Sequence, residues 1–196
     1  MKALAQELGE LDRSGEWKSK SAGGGWSSIT IRGRDGADDP HLRADTLGRL
    51  EAERYEYTSA GRSCPAIRRV LEGLGTDVFL VRCLKLRPGE LVKFHTDDVV
   101  FRDTSRIVRL HLPIVTHRHA VIRFGSPLRQ PAPGHMIWDA RKEWETHVPA
   151  GELWFTNVNA LHSVYNGGPY DRIHMVIDVK PQPGLVKALE GWAQQN

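Results

Sequence analysis

Cysteine is nearly absent: Cys64 and Cys83 are the only two in 196 residues. Two thiols cannot build a disulfide framework or a thiolate metal cluster, which excludes a small secreted scaffold and a Cys-based metal site. Long apolar runs are missing as well. None approaches the roughly 18 residues that a membrane-crossing helix needs, so no membrane association is expected. The opening residues, Met1-Lys2-Ala3-Leu4-Ala5-Gln6-Glu7, lack the apolar stretch of a secretory signal, and a cytoplasmic location is expected. Nor does one sign of charge dominate. Lys and Arg number 27 against 24 Asp and Glu, and a margin of +3 is too small to imply a nucleic-acid partner. What the chain has in quantity is histidine: nine, as many as Phe (5) and Tyr (4) together. With 40% hydrophobic residues, a chain of this length buries roughly 70% of its unfolded surface and folds without staples. The two cysteines then read as small buried apolar residues.

Leu4, Leu8 and Leu11 fall on one helical stripe, predicting an N-terminal helix docked on something larger. Residues 19–25, ending in three glycines, read as a flexible joint; 28–31 alternate like a strand, and 33–40 form a polar loop. A second helix is predicted from near Ser63, with Pro65 in its first turn, where a missing N–H costs little. Ile67, Leu71 and Leu74 make its buried face, and Gly73 and Gly75 end it. From Thr76 to Lys180 the apolar period becomes two. Strands are predicted near 78–86, 91–95, 106–116, 120–124, 135–138, 143–148, 152–156, 161–165 and 172–179. Short strands split by Gly and Pro turns indicate an antiparallel sandwich or barrel rather than βαβ units. Eight or nine of them fit a jelly roll, the double-stranded β-helix of cupins. Residues 185–192 read as a closing helix. The expected fold is mainly β, one domain over 1–196. It comprises a helix-and-strand extension over 1–75, a double-stranded β-helix core over 76–180 and a C-terminal helix over 181–196.

The chemistry starts at Phe94-His95-Thr96-Asp97-Asp98. In an extended segment residues two apart point the same way, so His95 and Asp97 can face one point. A second histidine, His162, follows 67 residues on. Two imidazoles and one carboxylate on one face of an ion leave its other face open, the arrangement that oxygen-activating non-haem Fe(II) enzymes need. Alone, a His-x-Asp pattern reads equally as a polar cluster at a strand end. Support comes from Arg172, ten residues after His162, beyond the turn signal Asn166-Gly167-Gly168-Pro169-Tyr170. If that turn closes a hairpin, His162 and Arg172 fall almost opposite each other on neighbouring strands. A ligand chelating a metal at His162 could then reach the planar fork of Arg172 with a distal carboxylate. In the strand around Val108, Leu110, Leu112 and Ile114 the apolar face leaves Ile107, Arg109 and His111 on the other. Fe(II) with one carboxylate ligand is singly positive and a dicarboxylate cosubstrate brings two negative charges, so nearby arginines are expected.

These motifs occur in a fixed order: His95-Thr96-Asp97, Arg109-Leu110-His111-Leu112-Pro113-Ile114, Gly151-Glu152-Leu153-Trp154-Phe155, His162-Ser163-Val164-Tyr165-Asn166, and Arg172-Ile173-His174-Met175-Val176-Ile177-Asp178. Together they resemble the aspartyl/asparaginyl β-hydroxylase family of Fe(II)- and 2-oxoglutarate-dependent dioxygenases. The resemblance covers roughly residues 76–180, and the first 60 residues carry none of its motifs. It implies Fe(II) at His95, Asp97 and His162, with 2-oxoglutarate held at its distal carboxylate by Arg172 and at its other end by Arg109 and His111. It also implies O2 as co-reactant, succinate and CO2 as coproducts, and an amino acid, free or within a peptide or carried intermediate, as substrate. Some animal members lack the ligand carboxylate. This chain keeps Asp97, as do the bacterial free-amino-acid hydroxylases that resemble it, so the animal enzymes' protein substrates do not transfer. Asp97 also fills the position where a related halogenase leaves room for chloride.

Other residues carry competing readings. His117-Arg118-His119 has two histidines two apart but sits at an expected hairpin tip with no acidic residue close behind. His174 shares the face of Arg172 and either lines the pocket or makes a structural hydrogen bond. Trp138, Trp154 and Tyr165 read as core. Residues 99–105 and 126–134 are expected at the pocket's lips, with Arg102, Arg123 or Arg129 available to a substrate carboxylate. Two rival functions share the fold: a metal-dependent cupin isomerase or lyase without 2-oxoglutarate, and a non-catalytic binding module.

Overall fold

The computed structural model describes residues 1–19, 25–38, 54–97, 107–132, 135–158 and 160–184, with only the backbone described at 19, 126–132 and 135–143. Residues 20–24 of the predicted joint, with two of its three glycines, and the closing helix at 185–192 lie outside the described residues. Three helices and three strands come first: α1 (Lys2–Arg13), β1 (Lys18–Ser19), β2 (Ser27–Arg34), β3 (Tyr55–Tyr57), α2 (Ser59–Arg62) and α3 (Pro65–Glu72). Eight strands follow: β4 (Val78–Leu86), β5 (Leu91–His95), β6 (Val108–Val115), β7 (Ala120–Ala132), β8 (His135–Thr146), β9 (Trp154–Phe155), β10 (His162–Asn166) and β11 (Arg172–Val179). They build a seven-stranded sheet in the order β1-β2-β4-β11-β6-β9, with β3 on β2, and a four-stranded sheet in the order β5-β10-β7-β8. All pairings are antiparallel. From β4 onward the chain passes back and forth between the two sheets. The fold is mainly β, a double-stranded β-helix with a few helices on one side.

Alternation along the strands decides where the core lies. In β11 the odd residues Ile173, Met175, Ile177 and Val179 turn to the helices, as do Val108, Leu110, Leu112 and Ile114 of β6. They share one buried cluster with Leu4, Leu8 and Leu11 of α1 and Ile67 and Leu71 of α3. Each such aliphatic burial contributes about 1.5–3 kcal/mol, so the main core sits outside the space between the sheets. Glu7 of α1 ties the helices together. Its carboxylate accepts from the Ala66 and Ile67 amides at 2.6 and 3.0 Å, capping α3, whose own Cys64 supplies no side-chain cap. Lys85, buried on the same face, reaches Asp12 at 2.5 Å and lies 4.6 Å from the Trp17 ring. Between the sheets the apolar cluster is small: Ile122, Phe124 and Val148, with Trp154, Ala160 and Val164 against it. That interior is left to polar groups.

The structure differs from the sequence reading in three places. The strands predicted at 120–124, 135–138 and 143–148 are two longer strands, β7 and β8. Their register shifts at Gly125/Ser126 and Pro127/Arg129, and such bulges break the two-residue period on which strand reading depends. The short β3 and α2 carry too few residues to show a period. Finally, the turn after His162 does not close a hairpin: β10 pairs with β5 and β7, whereas β11 pairs with β4 and β6. His162 and Arg172 therefore stand in different sheets. Asn166 clamps this crossover, donating to the Leu86 and Tyr170 carbonyls at 2.9 Å each. Glycine is needed beside it, because a Cβ on Gly168 would lie 2.8 Å from the His117 Cβ.

Candidate active site

Register across the four-stranded sheet places four side chains in one row. His95 pairs with His162, His162 with Phe124, and Phe124 with Trp144. Near His95 the register shifts, so that three residues of β5 span two of β10. This bulge lets both Val92 and His95 face inward. The Lys93 carbonyl accepts from His95 Nδ1 at 2.8 Å, and the Ala160 carbonyl accepts from His162 Nδ1 at 2.9 Å. Both contacts fix the same tautomer, with the Nε2 lone pair free toward the common point. Burial and the His95 charge hold the His162 pKa below its ordinary value, which favours the neutral, ligating form. Asp97 joins them, its backbone amide anchored to the Val158 carbonyl at 2.8 Å. One ligand atom from each of His95, Asp97 and His162 lies within 4.8 Å of the others. His162 is buried while His95 is half-exposed, so the cluster is closed on one side and open on the other.

Arg109 governs the carboxylate. Its Nε and Nη2 donate to Asp178 Oδ1 and Oδ2 at 2.7 and 2.8 Å, and its Nη1 donates to Asp97 Oδ2 at 2.6 Å. The opposite oxygen, Asp97 Oδ1, is left 3.7 Å from His95 Nε2, presented for single-oxygen ligation. Burial opposes ionisation of Asp97, but Arg109, His162, His95 and Arg82 outweigh it and lower its pKa. Asp178 is the residue that sequence reasoning passed over. It is 1% exposed and shares a face with Arg172 and His174, and that two-residue spacing was the available signal. Replacing Asp178 with Asn should leave Arg109 half-held and Asp97 free to turn. We expect divalent-metal affinity, read by competition with a chromophoric chelator, to fall about 10- to 100-fold.

Farther along the same interior lies Arg172, only 3% exposed. Among the described residues no carboxylate forms an ion pair with it. Its Nη2 donates to His174 Nδ1 at 2.8 Å, and its Nε has no partner. Burial pushes its pKa down, to about 9. With Nδ1 accepting, His174 carries its proton on Nε2, which is also buried and unpartnered. His111, on the same face of the large sheet, has neither ring nitrogen satisfied. Burial, with Arg109 and Arg172 nearby, drives its pKa down to about 3. The pocket thus offers unpartnered donors beside an uncompensated cation, which is the complement of an anionic, acceptor-rich ligand. Formal charge agrees: two carboxylates, Asp97 and Asp178, face three guanidiniums, Arg109, Arg172 and Arg82, the last opposite Val176 on the same face and close enough to act on Asp97.

His174 is likewise held neutral, by burial and then by Arg172 and His111. Above the ordinary histidine value of about 6.5 both imidazoles are neutral whether the chain is folded or not. Below it the unfolded chain takes up protons that the folded one refuses, so stability is lost as pH falls. The metal-free protein should lose on the order of 1 kcal/mol per histidine between pH 7.5 and 5.5, measured by chemical denaturation. His174→Asn should flatten that slope.

The structure thus brings together His95, Asp97 and His162, with Arg109, His111, Arg172 and His174 on the facing sheet. His117 and His119 lie apart, in the turn joining β6 to β7, with His119 exposed and their rings 4.9 Å from each other. Arg123 pairs with Glu145 at 3.1 Å and covers the Tyr165 ring at 5.4 Å. Residues 99–105 with Arg102 lie outside the described residues, as do the side chains of Arg129 and Trp138. Trp154 is half-buried beside the small interior cluster, and both cysteines are free and buried. No helix among the described residues is long and apolar enough to cross a membrane.

Fold and site define a double-stranded β-helix protein with a His/Asp/His cluster able to hold a metal ion. The chain belongs to the aspartyl/asparaginyl beta-hydroxylase family, whose profile matches residues 1–181. The match takes in the N-terminal 60 residues, in which the motifs had found no likeness, and makes the protein an enzyme of hydroxylase type. No curated protein matches the chain in sequence. Similar solved structures include a cupin domain from Bordetella pertussis Tohama I, 13% identical, covering 52% of this chain and 81% of that one at a TM-score of 0.34. The non-heme monooxygenase ThoJ in complex with nickel is 17% identical, with 62% and 54% covered and a TM-score of 0.39. This chain thus spans about half the length of ThoJ. KdgF from a Halomonas species is 9% identical, with 88% and 94% covered and a TM-score of 0.37.

Proposed function

We propose that this hydroxylase is an Fe(II)- and 2-oxoglutarate-dependent dioxygenase acting on an unactivated C–H of an amino acid, free or within a peptide or carrier-bound intermediate. The observation that carries the reading is Arg172, a buried cation without a counter-ion among the described residues, in the same interior as the His/Asp/His cluster. His95, Asp97 and His162 would hold the metal through their Nε2 and carboxylate atoms, a set suited to non-haem Fe(II). A divalent ion would add two positive charges to an interior where guanidiniums already outnumber carboxylates, and a dianionic 2-oxo acid would offset them. When bound, the metal and cosubstrate supply the oxidising chemistry, in which 2-oxoglutarate and O2 give succinate, CO2 and one oxygen atom for the substrate C–H.

The chain's own residues bind, orient and exclude water. Arg172 would take the distal carboxylate in its fork, with the His174 Nε2 proton as a neighbouring donor. His111 would contact the cosubstrate's metal-side carboxylate. Arg109 would add its charge there while Asp178 and Asp97 hold it in place. Two buried thiols suit a reducing compartment and support a cytoplasmic location. The direct test is turnover: protein reconstituted with Fe(II) is given 2-oxoglutarate, air and a panel of free and N-acetylated L-amino acids. We expect succinate in step with a product heavier by one oxygen atom. Metal-loaded protein that makes no succinate with any of them would favour a cupin isomerase or lyase.

A further inference from the structure

We infer that Trp144, stacked on Phe124, walls a substrate subsite for an uncharged apolar side chain; the inference rests on the dioxygenase reading above and adds the substrate class. The row His95–His162–Phe124–Trp144 crosses the four-stranded sheet in register, so the four side chains share the inner face. The Phe124 ring lies 6.4 Å from the His162 ring and 4.4 Å from the Trp144 ring, nearly parallel to the latter at 18°. A continuous aromatic surface therefore leads away from a proposed metal ligand. Phe124 beneath is only 7% exposed, whereas Trp144 is 56% exposed. Strand β8 forms the edge of this sheet, two strand spacings or roughly 10 Å from the strand of His162.

A single exposed aromatic on a protein surface is ordinary. Here the exposed ring continues a row that includes two metal-ligand candidates, and covering it with an apolar group removes area from water on both partners. The described residues offer a cationic occupant no free counter-ion. Among the described residues, the two carboxylates facing the interior, Asp97 and Asp178, are both held by Arg109. Glu145, next to Trp144 in the strand, points to the other face and pairs with Arg123. No described carboxylate is left to accompany a substrate cation along the wall, so the fitting class is an amino acid with a neutral aliphatic or aromatic side chain.

The test uses anaerobic protein loaded with Fe(II) and 2-oxoglutarate. The probes are the N-acetyl methylamides of L-phenylalanine, L-leucine, L-lysine and L-aspartate, titrated by calorimetry. The phenylalanine and leucine probes should bind wild type saturably, Trp144→Ala about tenfold more weakly, and Trp144→Phe within about threefold of wild type. The lysine and aspartate probes should bind more weakly and respond to neither substitution. A tryptophan that merely shields Phe124 would lower stability without changing this selectivity. If Trp144→Ala misfolds, Trp144→Gln, which keeps cover over Phe124 without the π face, carries the same comparison. Equal affinity of the variants, preference for the lysine probe, or no saturable binding of either apolar probe would overturn the inference. Failure of 2-oxoglutarate itself to bind would instead remove the dioxygenase reading. The same titrations on protein holding metal alone then decide the subsite separately.

Discussion

Replacing Arg172 with methionine is expected to abolish 2-oxoglutarate binding while raising the stability of the ligand-free protein. The guanidinium is 3% exposed, and its only described hydrogen-bond partner is the neutral His174. An uncompensated buried cation costs several kcal/mol, and an apolar residue of similar length removes that cost. His174 Nδ1 then loses its donor, which costs about 1–3 kcal/mol. The desolvation relief is the larger effect, leaving a net gain on the order of 1 kcal/mol. Binding moves the opposite way. Loss of one partner of a buried charge pair costs about 2–5 kcal/mol, or roughly 30- to several-thousand-fold in affinity. Thermal denaturation with and without 2-oxoglutarate reads both effects. Wild type should gain about 2.7 kcal/mol at a hundred times its dissociation constant, and the variant less than about 1 kcal/mol at the same concentration. A variant that is less stable than wild type yet still responds to 2-oxoglutarate would remove Arg172 from the anion site.

Asp97→Ala should abolish succinate formation, whereas His117→Ala should leave it near wild type. Asp97 is the only carboxylate in the His95/Asp97/His162 cluster, its pKa is lowered, and Arg109 fixes one of its oxygens. Removing a proposed ligand should weaken metal binding by more than the roughly 10- to 100-fold that outer-shell changes cost. The fold should survive, because Asp97 lies just beyond β5 and Arg109 keeps the bidentate hold of Asp178. His117, by contrast, sits in a turn, with its ring 5.7 Å from Tyr170. The start of β7 beside it is four residues, roughly 13 Å, from Phe124 and the metal row. Succinate formation lost in His117→Ala and kept in Asp97→Ala would move the site to that turn.

Much of this was legible in the chain. The apolar residues of 78–86 and 172–179 marked β4 and β11 to the residue, because β11 keeps an unbroken register over six residues with β4 and six with β6, its shifts lying near its ends. The cluster His95, Asp97 and His162 was legible through motif spacing. What stayed hidden depended on partners distant in sequence. Asp178 meets Arg109 across 69 residues, and nothing local to either residue announces the other. The turn at 166–170 looked like a hairpin because a tight Gly-Gly turn usually is one. Whether its strands pair depends on their other neighbours: β5 and β7 occupy both edges of β10, and β4 and β6 both edges of β11. The row ending in Trp144 could not be read either, since bulges in β7 and β8 shift the register that aligns Phe124 with Trp144.

One interior is expected to hold both a divalent metal and a chelating 2-oxo acid. Anaerobic protein mixed with Fe(II) and then 2-oxoglutarate tests it most directly, by absorbance. Wild type should show the weak visible charge-transfer band that Fe(II) and a chelating 2-oxo acid give together, and Asp97→Ala and Arg172→Met should lack it. Metal bound without any band would contradict it and leave a metal-dependent isomerase or lyase; no metal uptake at all would leave only a binding module.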